Sequence, residues 1–115
     1  MNDINGKIQY NGKEYSLVFN LNVMEAIQEK YGTLDEWGEL TGASGKEPNA
    51  KAVIFGFREM LNEGIDIENE ENGTDIEFLT LKQVGRIITQ VGLSNATSTM
   101  QETVINSTQN VEKNA

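Results

Sequence analysis

The sequence predicts an α+β domain, an N-terminal β-hairpin packed on about four short α-helices. Three observations predict it. Apolar residues alternate on both sides of Asn11-Gly12, and capped helical stripes follow from Asn22 to Gly92. The length of 115 residues suits one domain near the low end for a self-sufficient core.

The first strand is Ile4 to Tyr10, with Ile8 and Tyr10 on one face. Asn11-Gly12 is a strong two-residue turn signal, and Lys13 to Phe19 returns. An isolated hairpin is barely stable, so Ile8, Tyr10, Tyr15, Leu17 and Phe19 are expected to meet helices. In the first helix Val23, Ile27 and Tyr31 share a face, flanked by Met24, while Glu25, Gln28, Glu29 and Lys30 are left to solvent. Asn22 is the expected cap and Gly32 the terminator. Thr33-Leu-Asp-Glu36 fits a capping box and opens a short helix through Leu40, with Leu34, Trp37 and Leu40 apolar.

Gly42 to Pro48 reads as a loop. Pro48 sits where a first helical turn tolerates it, and a helix is expected from about Asn49 to Asn62. Val53, Phe57, Met60 and Leu61 form its stripe, which Ile54 and Phe55 widen, so this is the expected central helix. Gly56 costs about 1 kcal/mol relative to Ala. Close approach of another helix or of the hairpin would compensate.

Glu63 to Glu77 is dense in Asp, Glu, Asn and Gly and is expected to be a loop. A poorly formed second hairpin, Ile65–Ile67 against Ile76–Phe78 around Asn72-Gly73, is the alternative. Thr80-Leu-Lys-Gln83 is a second capping box, opening a helix through about Val91 with Val84, Ile87, Ile88 and Val91 apolar; Gly92 ends it. Residues 1–92 are thus the expected core domain. Residues 93–115 are expected to form a polar helix and a flexible tail. Ala96, Met100, Val104 (or Thr103), Ser107 and Val111 keep a narrow stripe there, and the tail begins near Gln109.

Composition excludes much. With no Cys there are neither disulfides nor thiolate metal sites. With no His the commonest general base and transition-metal ligand are missing. A net charge of −9, with nine basic residues scattered along the chain, argues against nucleic acid as a partner. No apolar run is long enough for a membrane span, and the polar start lacks the basic and apolar regions of a signal peptide. An intracellular setting is the simplest expectation.

The candidate chemical constellations are weak. Glu68, Glu70, Asn72 and Gly73 occupy the first, third, fifth and sixth places of a calcium loop, but the twelfth place falls on Leu79 instead of Glu. Asp35, Glu36 and Glu39, and Glu25 and Glu29, share helical faces among polar neighbours, which is a solvated arrangement. Ser16, Ser44 and Thr80 have no His or well-placed Lys to activate them. Gly42-Ala-Ser-Gly-Lys46 lacks the spacing of a phosphate loop. No enzyme and no cofactor are expected.

The block Phe19, Asn20, Asn22, Met24, Ile27, Glu29, Tyr31 and Gly32 resembles the "fn.n.m..iee.yG" helix of the small tail assembly chaperones of long-tailed bacteriophages. The likeness continues loosely through Thr33–Leu40 and Ala52–Leu61. It ends in a late "lt...vg.ii...g" segment, here Leu79-Thr80, Val84-Gly85, Ile87-Ile88 and Gly92. The resemblance implies a non-enzymatic chaperone in the bacterial host cytoplasm that is absent from the finished virion. Such proteins bind the long tape measure protein, keep its apolar helices soluble and recruit tail tube subunits. In many relatives a ribosomal frameshift adds a second domain.

Two other classes stay open: a minor tail or connector protein retained in the virion, and a small acidic regulator that mimics nucleic acid. Homo-oligomerisation is compatible with the sequence. The apolar surplus is its main functional signal, because helices apolar on more than one side leave a patch for a partner. Trp37, Phe57, Met60, Leu61, Met100, Val104 and Ile105 are therefore the candidate partner-binding residues.

Overall fold

The computed structural model describes residues 5–113, with side chains described to residue 108. The elements are β1 (Gly6–Tyr10), β2 (Lys13–Leu17), α1 (Leu21–Tyr31), α2 (Leu34–Leu40), α3 (Ala50–Asn72), α4 (Leu81–Val91) and α5 (Leu93–Lys113). An N-terminal hairpin on helices, an α+β arrangement, is what the sequence predicts. Ile4, the expected strand start, lies outside the described residues. So do residues 114 and 115 and the side chains of 109–113, Val111 among them. The backbone of α5 continues to Lys113, past the expected start of a tail at Gln109.

β1 and β2 pair antiparallel, with Tyr10 opposite Lys13 and Gly6 opposite Leu17. That register leaves Asn11 and Gly12 as the turn, at φ 50° and 75°. Positive φ at both positions is the turn geometry whose twist matches the strands. Lys7 donates to Ser16 Oγ and Gln9 to Glu14 on the outer face, while Ile8 and Leu17 are buried.

α3 is the spine of the domain. It packs on β2, α1, α2 and α4, and β1 lies against α4 and α5. The caps are mostly where the sequence puts them: Thr33 opens α2, Thr80 and Gln83 form a complete capping box on α4, and Gly32 and Gly92 close their helices at φ 95°. Two caps differ. Asn20, not Asn22, caps α1: its Oδ1 accepts from the Val23 N–H at 3.2 Å. Asn49 caps α3, so Pro48 precedes the cap and is not part of the first turn. Asn20 and Asn22 both donate to Glu63 Oε2, at 2.7 and 3.1 Å, which clasps the start of α1 to α3.

The main correction concerns Glu63–Glu77. Residues 63–72 continue α3, and no second hairpin forms among the described residues. Charge density suggested a loop, but Asp66, Glu68, Glu70 and Glu71 are exposed while Ile65 is buried. Gly64 passes close to the Ser16 carbonyl, letting α3 cross β2. Gly73, left-handed at φ 65°, stops the helix. The chain then returns along α3, held by two asparagines. Asn69 accepts from the Ile76 N–H at 2.9 Å and donates to the Ile76 carbonyl at 3.0 Å. Asn62 treats Leu79 the same way, at 2.8 and 3.1 Å.

α5 joins the same core. Ala96, Met100, Thr103 and Ser107 are buried. Between the two stripe alternatives, Thr103 is inside and Val104 half-buried. The small residues let β1 come close, with Gly6 directly against Thr99 and Thr103.

Candidate partner-binding surfaces

The fold separates the seven candidate residues. Trp37, Phe57, Met60, Leu61 and Met100 are each 2 % exposed or less, inside the core. They are corrected to structural residues: α3 is covered by β2, α1, α2 and α4, which absorb its wide apolar surface. Val104 is half-buried, and Ile105 is 52 % exposed.

Val104 and Ile105 belong to an open groove of ≈ 670 Å³ between α5 and α2 with its following loop. Leu34 and the edge of Trp37 supply apolar wall on the α2 side. Asp35 and Glu39 stand at its rim, and exposed Glu102 is the neighbour of Gln101, which also lines it. The groove is therefore largely apolar with an acidic border.

Its walls are fixed from behind. The Trp37 Nε1–H donates to the Ala52 carbonyl at 3.0 Å, tying α2 to α3. Thr41, fully buried, donates its hydroxyl to the Gly38 carbonyl at 3.0 Å. Gln101 Nε2 donates to the Thr41 carbonyl at 3.4 Å and links α5 to the far wall. A groove with walls already held apart can accept an apolar ridge with little ordering cost.

Sequence reasoning missed other exposed apolar side chains: Leu21, Phe78, Leu81 and Leu93. Leu21 sits away from the Val23–Ile27 stripe, so a helical projection of α1 places it outside. Phe78 borders a small hollow of ≈ 160 Å³ with Asn22, Glu59, Glu63 and Asp66. It lies in the return segment, just past the stretch Glu63–Glu77 that composition marked as loop.

Among the described residues, no group of three His, Cys, Asp or Glu is placed to hold a metal ion. Glu68, Glu70 and Asn72 are helical and do not form a loop that could wrap a cation. Burial pushes the Tyr31 phenol above its ordinary pKa. Its ring packs edge-on to Phe55, and its hydroxyl is buried without a hydrogen-bond partner among the described residues. No helix among the described residues is long and apolar enough to cross a membrane.

No protein-family model matches the chain, and no curated protein or solved structure is significantly similar to it.

Proposed function

We propose that this chain is a non-enzymatic phage tail assembly chaperone that binds the helices of a tape measure protein and helps recruit tail tube subunits. The observation that carries the reading is the α2–α5 groove. Leu34, Val104 and Ile105 offer an apolar seat, and Asp35 and Glu39 border it. An amphipathic helix with basic flanks is complementary to such a surface.

The resemblance around Phe19–Gly32 supports the same reading. Phe19 is buried, Asn20 caps α1 and Gly32 terminates it, so each of these residues has a defined place in the architecture. The resemblance thus concerns how the domain is built, while the groove supplies the surface with which it works.

The test is the fate of the protein during assembly. Quantitative mass spectrometry should find it abundant in cells making tails and absent from purified particles. Disrupting its gene should abolish tail polymerisation. Retention in purified tails at a fixed copy number would contradict the proposal and make the chain a structural subunit.

A further inference from the structure

Lys30, Lys51, Lys82 and Arg86 are scattered in sequence, yet α1, α3 and α4 bring these four of the chain's nine basic residues onto one face. A groove of ≈ 430 Å³ runs among Lys30, Lys51 and Lys82 over Ile54, Phe55, Leu81 and Gly85. Past Lys82 and Gly85 it continues into a hollow of ≈ 570 Å³ that reaches Arg86 and Tyr10. All four cations are exposed, and none has an ion-pair partner among the described residues. Lys30 Nζ lies 5.2 Å from the Phe55 ring centroid, so it borders the apolar floor. α4 carries no Asp or Glu at all. On a protein of net charge −9 this face is a local reversal of sign, and it attracts carboxylates.

Gly85 adds a second observation. A Cβ there would meet only Ile54 Cδ1, at an ordinary 3.6 Å. Packing therefore does not demand glycine, although glycine in a helix interior costs about 1 kcal/mol relative to Ala. The missing side chain does leave the groove floor open between Leu81 and Ile54.

We propose that this face docks an amphipathic helix of a partner protein whose apolar stripe is flanked by Asp and Glu. The stripe seats on Phe55, Ile54 and Leu81. Its carboxylates meet Lys30 and Lys51 on one side and Lys82 and Arg86 on the other. Nucleic acid matches the cations but has no use for the apolar floor, and the strongly acidic remainder of the chain repels a polyanion. The site is separate from the acidic α2–α5 groove and does not depend on the assembly reading.

The test uses the full chain and two labelled synthetic helices of about 18 residues, five turns each. Both carry the same Leu and Ala stripe; one is flanked by Glu, the other by Lys. Fluorescence anisotropy at low salt should show the Glu peptide binding at least about tenfold more tightly, with the advantage shrinking as salt rises. Lys51→Glu with Lys82→Glu should remove or invert the preference. Gly85→Gln, which fills the floor at a half-buried position, should weaken the Glu peptide while circular dichroism stays unchanged. Equal binding of the two peptides, or no binding of the Glu peptide, overturns the proposal. So does displacement of the peptide by an equal concentration of a single-stranded oligonucleotide. Sedimentation showing that a second copy of the chain occupies this face would overturn it as well.

Discussion

The Trp37 indole lies directly over Gly56, so that any Cβ at position 56 would overlap the ring. This contact sets the distance between α2 and α3, and the Trp37–Ala52 hydrogen bond fixes the ring's orientation. Gly56→Ala should therefore destabilise the domain by roughly 2 kcal/mol or more, despite a gain of about 1 kcal/mol in helix propensity. Urea denaturation reads the result directly. A stabilised variant would mean that the two helices are free to move apart.

The two asparagine clamps make a second expectation. Asn62 and Asn69 each satisfy both the N–H and the carbonyl of one residue in the return segment. Replacing either by Ala leaves those groups without their partner and should cost about 1–3 kcal/mol. Amide hydrogen exchange localises the effect: Asn69→Ala should expose Ile76 and Asn62→Ala should expose Leu79. Uniform loss of protection across the domain would contradict a local clamp.

Core and groove respond differently to truncation. Phe57→Ala and Met100→Ala remove fully buried side chains and should cost about 3–5 and 2–5 kcal/mol. Ile105→Ala should stay within about 0.5 kcal/mol of the parent, because the side chain is largely in solvent. Thermal or urea unfolding distinguishes the two groups. A large loss at Ile105 would show that the groove is closed by packing and is not open for a partner.

Alkaline pH supplies a titration test. Burial raises the Tyr31 pKa in the folded state, so the folded chain holds that proton when the unfolded chain has released it. The stabilisation is complete below the ordinary pKa of 10.0 and is lost as pH rises through the folded-state value. Tyr31→Phe should flatten this part of the profile, above the ordinary pKa of 10.0. It should be neutral or stabilising near pH 7, since the hydroxyl it removes has no partner among the described residues. A parent and a variant that lose stability in parallel would assign the alkaline loss to other groups.

Local chemistry made much of the fold legible. Asn11-Gly12, Thr80–Gln83 and the terminal glycines each act through neighbours a few residues away, and the structure uses them as the sequence suggests. What stayed hidden depends on distant partners. Glu63–Asn72 carries the composition of a loop, and it is helical because Gly64 meets β2, Ile65 is buried and the asparagines hold the return segment. The same limit affects the surfaces. Phe57 and Met60 look like surplus until α3 is seen to be covered on several sides, whereas Ile105, in a weak polar helix, remains outside. Lys30, Lys51, Lys82 and Arg86 become a cluster only after three helices have packed together.

The α2–α5 groove is the proposed seat for apolar helices of a tape measure protein. The decisive experiment is co-expression with a tape measure protein, followed by pull-down and size-exclusion chromatography. It compares the parent with a chain carrying both Val104→Asp and Ile105→Asp. The parent should form a soluble complex, and the doubly substituted chain should lose it while still unfolding cooperatively. An undiminished complex with the substituted chain would contradict the groove as the site. Failure of the parent to keep the partner soluble would contradict the chaperone reading itself.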